Sequence, residues 1–313
     1  MMNRAFGRLL VILVLALCSC SHKDIMCPGG ELRQINVCFE WDKAPGASPE
    51  GMSLYFFPAG KSGRIWRFDI AGDKGGPVEL PTGSYRLVTF NNDLPGITID
   101  GTDSFGSISA YARGKTPAGV FNSTGMLYGT VVSSIEVTPC GIEYITENGS
   151  VKECRKSVLR CYPDSLSAKY TVHIKNVNTP EMLRSASVRL KGVASDINLS
   201  TAESSDAAST VSFQLEKSDK APRLSGRGYA FPSDYGAKHT LTVALTRVDG
   251  KTFARDFDVT DQIMNSPSRH NVLLVIDSID VPVDDTPEDD VGGIDVDVDG
   301  WNAIETDIIA TLP

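Results

Sequence analysis

The chain has 313 residues, of which 41% are hydrophobic and 22% charged, a composition typical of a globular protein. Its length is too great for one typical sandwich domain and fits two domains of roughly 100–150 residues each. The formal net charge is −9 and the sequence shows no basic patch, which argues against nucleic acid as a partner.

The first twenty residues indicate a lipoprotein signal peptide, residues 1–19, followed by an acylated cysteine. Arg4 and Arg8 flank the start of an unbroken apolar run from Leu9 to Leu17, which is too short to span a bilayer. The ending Leu17-Cys18-Ser19-Cys20 resembles a bacterial lipobox with Cys20 at +1. Lipid on an N-terminal cysteine anchors a protein without spanning the membrane, so we expect an outer-membrane, lipid-anchored chain at the cell surface. The alternative is an ordinary signal peptide with incidental cysteines.

Five further cysteines follow Cys20, and an exported compartment permits disulfides. Residues 20–34 form a polar spacer, in which Cys27 is placed to bridge to Cys38. Cys154 can close a short loop with Cys161, with Cys140 as an alternative partner or an odd thiol. Free buried thiols are the alternative to both bridges. No pair has the CxxC spacing, so we expect no zinc site.

Short runs of alternating apolar residues, separated by turns, predict β-strands along most of the chain. Residues 35–138 are predicted to form an N-terminal β-sandwich. Its first strand has apolar residues at alternate positions: Ile35, Val37, Phe39 and Trp41. The segment Tyr85 to Phe90 is apolar on both faces, which predicts a central strand.

The alternation returns after a cysteine-containing connector, residues 139–164, and predicts a C-terminal β-sandwich over residues 165–280. Asp249-Gly250 between two alternating runs is a strong signal for a β-hairpin. The chain is therefore predicted to be all-β, with two tandem antiparallel β-sandwich domains.

An acidic tail, residues 281–313, contains ten Asp and Glu and no Lys or Arg. The stretch from Asp295 to Trp301, DVDVDGW, begins like an EF-hand loop, but position 12 of that loop is Thr306 instead of a bidentate glutamate. We therefore expect no metal cage, and the alternative is weak calcium binding by the carboxylates. The tail is instead predicted to carry a strand-like segment on a flexible linker, with these residues available for strand addition: Ile294, Val296, Val298 and Trp301.

Sequence motifs for catalysis are absent. None of the four histidines lies in HExxH, and the chain has no GxSxG and no P-loop. The acids cluster in the tail, where nothing would bury them and raise a carboxyl pKa. We expect no catalytic residue and no cofactor.

The lipobox cysteine and three stretches after it, SHKDIMC, VCFEWDKAPGASPEGMSLYFFP and GGPVELPTGSYRLVTFNND, resemble the fimbrillin-like surface lipoproteins of Bacteroidetes. That family contains type V pilus subunits, including minor and anchor-like ones. The resemblance implies two transthyretin-like sandwiches and assembly by β-strand addition, in which a strand of one subunit completes a groove in the next. It also implies that polymerising subunits are cut by an arginine-specific protease, for which Arg33 and Arg64 are the candidates.

The resemblance favours a non-enzymatic, lipid-anchored cell-surface protein that is a minor, anchor or adhesion subunit of a fimbria. Its expected partners are the outer membrane, other pilin subunits, and a host glycan or protein. The sequence leaves open whether the chain is an anchor, a stalk or a tip subunit. The alternative is a surface glycan-binding lipoprotein of a polysaccharide-uptake system, which a platform of exposed Trp and Tyr would favour.

Overall fold

The structure is a computed structural model that describes residues 31–60, 63–145, 151–154, 157–205, 209–221, 223–233 and 236–283, with backbone alone at 144–145 and 151–154. Within these ranges the chain is almost entirely β-structure, with one short α-helix and one 3₁₀ turn. None of the described helices is long and apolar enough to cross a bilayer.

Thirteen strands precede residue 166. They are β1 (Leu32–Phe39), β2 (Gly51–Pro58), β3 (Trp66–Ala71), β4 (Gly75–Pro81), β5 (Gly83–Asn91), β6 (Ile97–Asp100), β7 (Ser109–Ala112), β8 (Val120–Asn122), β9 (Tyr128–Thr138), β10 (Gly141–Ile145), β11 (Val151–Cys154), β12 (Val158–Cys161) and β13 (Asp164–Ser165).

Eight strands and both helical segments follow. They are β14 (Ala168–Asn178), a 3₁₀ turn (Pro180–Met182), β15 (Leu183–Val193), β16 (Asp196–Asn198), β17 (Ser209–Lys217), β18 (Leu224–Ala230), β19 (Thr240–Arg247), β20 (Thr252–Asp258), α1 (Thr260–Met264) and β21 (Asn271–Asp280).

The first sandwich packs a three-stranded sheet, ordered β12-β1-β4, against a sheet ordered β11-β10-β9-β5-β2-β3, with β13 also paired to β9. Their facing side chains share one core, which includes Ile35, Leu54, Phe56 and Leu87. Strand β5 lies between β2 and β9 and is apolar on both faces, as predicted from its sequence. Strands β10 and β12 lie within the predicted connector, yet they pair with β9 and β1 of this sandwich.

The second sandwich is one curled sheet ordered β20-β19-β15-β17-β18-β14-β21, which encloses its own core. Alternate residues of β14, β15, β17 and β19 point inward and are at most 7% exposed, which confirms the predicted alternation. Gly250 takes a φ of 90° in the β19–β20 hairpin, where a side chain would strain the backbone. The prediction of an all-β chain with two tandem β-sandwiches is confirmed.

A third core joins the two sandwiches, and the sequence did not predict it. The outer face of β2 and β5 contributes Tyr55 and Phe90, and the second sandwich contributes Ile197 and Phe231. Strands are also exchanged between the two halves of the chain: β16 pairs with β7 in a separate three-stranded sheet that includes β6, and β8 pairs in parallel with β17. These exchanged strands come partly from the Gly- and Ser-rich residues 94–125, which therefore form the joint between the sandwiches.

Candidate functional site at the two chain ends of the folded body

The first chain end enters the folded body through β1, which is hydrogen-bonded along both of its edges. Val37 lies opposite Leu159 of the parallel strand β12, and Ile35 lies opposite Val78 of the antiparallel strand β4. The side chains of Ile35, Val37 and Phe39 are at most 5% exposed. Burial of side chains of this kind stabilises a fold by roughly 1.5–3 kcal/mol each. Strand β1 is therefore a structural part of the first sandwich.

The two arginines considered as protease sites lie in different settings. Arg33 is in the ladder of β1, opposite Leu80, and forms an ion pair with Glu31 at 2.5 Å. Arg64 is exposed in the connection between β2 and β3, with its guanidinium carbon 4.6 Å from the centroid of the Trp66 ring. A protease needs an extended, released segment, so cleavage at Arg33 requires local unfolding of β1.

Two of the predicted disulfide cysteines lie on the neighbouring strands β1 and β12. Cys38 is opposite Arg160 and half-buried, whereas Cys161 is opposite Phe39 and buried. Because side chains alternate between the faces of a sheet, these two thiols point to opposite faces. Burial raises the pKa of Cys161 to about 12, and the nearby Cys38 adds to this effect. Both thiols are free in the structure.

The pairings proposed for these cysteines remain predictions. Cys27 and the side chain of Cys154, which are their predicted partners, lie outside the described part of the chain. The alternative partner Cys140 is an exposed free thiol. The lipidation residue Cys20 and the strand-addition residues Ile294, Val296, Val298 and Trp301 also lie outside the described residues.

The second chain end leaves the folded body beside a buried arginine that the sequence did not single out. Arg247 is 7% exposed, and its Nη1 donates to the carbonyl oxygens of Pro282 at 3.0 Å and Val283 at 3.3 Å. Its Nη2 donates to the carboxylate of Asp249 in the hairpin turn. The Thr179 hydroxyl donates to the Val281 carbonyl at 2.9 Å. These bonds fix the point and direction in which the acidic tail begins.

The only sequence signal for this arginine was its place at the end of an alternating strand, directly before the Asp-Gly turn. Such an arginine is usually exposed, because a charged side chain costs free energy when it is buried. Its burial depends on the carbonyls of residues 282 and 283, which are distant in sequence.

The residues that the structure describes contain no metal-binding cluster. No group of three or more His, Cys, Asp and Glu that could hold a metal is present in that part of the chain. Burial raises the pKa of Tyr170 in β14 and lowers the pKa of His239 just before β19. The EF-hand-like stretch lies outside the described residues.

Residues 19–214, more than half of the chain, match the family described as Domain of unknown function (DUF5119), and the chain belongs to this family. Over 130 residues it is 28% identical to a Bacteroides ovatus protein named "Putative fimbrium anchoring subunit Fim4B". That match covers 41% of this chain and 38% of the relative, so the chain spans less than half of the relative's length.

Two solved structures are similar in fold. One is named "putative adhesin" and comes from Bacteroides ovatus ATCC 8483; it has a TM-score of 0.62 and 18% identity, and the match covers 82% of this chain and 95% of that one. Another is named "putative polysaccharide binding proteins (DUF1812)" and comes from Bacteroides thetaiotaomicron VPI-5482. It has a TM-score of 0.51 and 13% identity, and the match covers 77% of this chain and 89% of that one. At these identities the likeness concerns the fold.

Proposed function

We propose that this protein is a lipid-anchored, cell-surface subunit that fixes a fimbria to the outer membrane. The role is structural and involves no catalysis. The observation that carries the proposal is β1, which is buried in the first sandwich, paired along both edges and continuous with the segment that begins at Cys20. The 28% identical relative named as a fimbrium anchoring subunit supports the same role.

An anchor must keep its N-terminal strand, because that strand joins the lipid to the folded body. A pull on the body is then carried by the β1–β4 and β1–β12 ladders and by the buried side chains of Ile35 and Val37. A subunit that loses this strand gains a groove but loses its link to the lipid. The placement of Arg33 within β1 therefore favours the anchor over a polymerising subunit.

The acidic tail is the part of the chain that we assign to the fimbrial partner. Its alternating residues Ile294, Val296 and Val298 suit an extended strand that adds to the groove of a neighbouring subunit, with Trp301 beyond them. Main-chain hydrogen bonds would provide affinity and the alternate side chains would provide specificity. The Arg247 contacts with residues 282 and 283 set where the acidic tail leaves the second sandwich.

The lipid link is tested by replacing the acylated cysteine in the native host. Cys20→Ser should release the protein from the outer membrane and leave cells with detached fimbriae, measured by membrane fractionation and immunogold labelling. Cys18→Ser is the matched control and should behave like the wild type. Membrane retention of Cys20→Ser, or equal release of both variants, would contradict the proposal.

A further inference from the structure

A groove at the joint of the two sandwiches carries an inference that goes beyond anchoring. Two adjoining cavities of about 570 and 460 Å³ lie there, and both are lined by Lys43, Asp164, Ser165 and His270. Ligand sites usually have volumes of about 300–1,000 Å³ and occur preferentially at domain interfaces.

Tyrosines form the walls of this groove. Tyr128 and Tyr229 line the smaller cavity, Tyr162 lines the larger one, and all three are half-buried. The Trp41 ring packs edge-on against Tyr128 with centroids 5.7 Å apart. Tyr128 and Tyr229 therefore face the same cavity from the two halves of the chain, and burial, with Tyr229 and Asp93 nearby, raises the pKa of Tyr128.

Hydrogen bonds across the joint fix the backbone at two of these tyrosines. The amide N–H of Tyr128 donates to Oδ1 of the buried Asn91 at 2.8 Å. The amide N–H of Tyr229 in the second sandwich donates to the Ser123 hydroxyl oxygen at 2.9 Å. The Tyr229 carbonyl accepts from the Thr124 amide at 3.0 Å. The groove is therefore built by the joint, and its shape does not depend on a single loop.

Polar groups of both signs lie beside the rings. Asp164 and Glu203 supply carboxylates, and Lys169 and His270 supply an ammonium and an imidazole. The lip of the groove includes Ala202, which takes a φ of 58° in a turn that the Asn198 side chain closes. Left-handed backbone at a non-glycine residue is uncommon and is often found at binding sites.

We propose that this groove binds an oligosaccharide. A sugar ring has a face of C–H groups that stacks on an aromatic ring, and a rim of hydroxyls that both donate and accept hydrogen bonds. Half-buried tyrosines next to carboxylates and cationic groups match both features. A simple anion or cation would instead be met by charges of one sign. The inference is independent of the anchoring role, because the groove is distinct from β1 and from the tail exit.

The test uses the chain from residue 21 onward in native affinity gels that contain gastric mucin, chondroitin sulfate or xylan. We expect at least one of these glycans to retard the protein. Tyr128→Ala and Tyr229→Ala should each weaken binding about tenfold or more when the dissociation constant is measured. Tyr111→Ala is the matched control, since Tyr111 is 41% exposed on β7 and does not line the groove.

Asp164→Asn and Lys169→Gln test the same groove without removing an aromatic ring. They remove a charge at nearly constant side-chain size, so weaker binding cannot be attributed to a folding defect. Both should weaken binding while the melting temperature stays that of the wild type. Migration unaffected by all three glycans would overturn the proposal. Equal weakening by Tyr111→Ala and by the groove variants would also overturn it. Either outcome would leave the anchoring role untouched, since that role is read from membrane fractionation.

Discussion

Arg247 donates a hydrogen bond of 3.0 Å to the carbonyl oxygen of Pro282, and so ties the end of β19 to the start of the acidic tail. The arginine is buried, and its charge is balanced by Asp249 and by two backbone carbonyls. The second chain end is thus held by strand β21, which pairs with β14 as far as Asp280, and by the Arg247 side chain just beyond it.

Replacement of this arginine should therefore destabilise the second sandwich. Arg247→Ala leaves the carbonyls of residues 282 and 283 without their donor, at an expected cost of about 1–3 kcal/mol in the free energy of unfolding. Arg255→Ala is a matched control, because Arg255 lies near Phe257 much as Arg247 lies near Phe253 but is exposed. Its effect should stay within about 0.5 kcal/mol. If urea denaturation showed the same loss of unfolding free energy for Arg247→Ala and Arg255→Ala, the burial of Arg247 would contribute nothing to stability.

The buried His239 predicts a specific sensitivity to acid. Burial lowers its pKa below the ordinary value, although the Lys191 carbonyl and Asp258 oppose this effect. The unfolded chain therefore binds this proton more readily than the folded chain, so stability is lost as the pH falls below 6.5. Urea midpoints measured between pH 7.5 and pH 5 should fall less for His239→Gln than for the wild type.

The effect of Asp258 on the pH dependence of stability can be separated from the effect of His239. Hydrogen bonds from Thr260 lower the pKa of Asp258. The stability that Asp258 contributes is therefore present above its ordinary pKa of 3.8 and is lost in more acidic solution. The interval from pH 7.5 to pH 5 lies above that range. Urea midpoints that fall equally with pH in the wild type and in His239→Gln would refute the role given to His239.

Limited digestion with an arginine-specific protease should distinguish Arg64 from Arg33. Arg64 is exposed between two strands, whereas Arg33 is part of the β1 ladder. We expect mass spectrometry to find cleavage after Arg64 first, with β1 retained until the first sandwich unfolds. Arg64→Lys should remove the early cut and leave Arg33 intact. Early cleavage after Arg33 in the folded protein would argue against β1 as a permanent link.

The joint between the sandwiches should make the two halves unfold together. Ile197 is 2% exposed in the third core, so Ile197→Ala is expected to cost about 2–5 kcal/mol. Val248→Ala is the control, since Val248 is 57% exposed. Calorimetry of the wild type should show one transition. Two separated transitions in the wild type would mean that the exchanged strands do not couple the halves.

The alternation of apolar residues predicted the long strands of both sandwiches, but not the short strands within residues 94–125 or within the connector. Leu241, Val243 and Leu245 point inward as their spacing requires, since side-chain direction in a strand is a local property. Strand pairing is not local. The parallel pairing of β1 with β12 and the exchange of β8 and β16 join segments about 90 residues apart or more. No short sequence signal reports them.

Trp41 shows the same limit at a single residue. Its spacing after Phe39 predicted a fourth inward position of the first strand, but β1 ends at Phe39. Trp41 instead donates its indole N–H to the Asp73 carbonyl at 2.7 Å and packs against Tyr128 beside the groove. Trp41 still packs against the first core, as its spacing indicated, although from outside the strand.

The central claim is that the anchored body presents its tail to a fimbrial subunit, and co-purification from detergent-solubilised outer membranes tests it most directly. A tagged wild-type protein should recover fimbrial subunits, and the double variant Val296→Asp, Val298→Asp should lose them, because these side chains would face the partner sheet. Asp295→Ser with Asp297→Ser is the matched control and should retain them, because these residues would face solvent. Recovery that is the same for all three proteins, or absent from the wild type, would contradict the account.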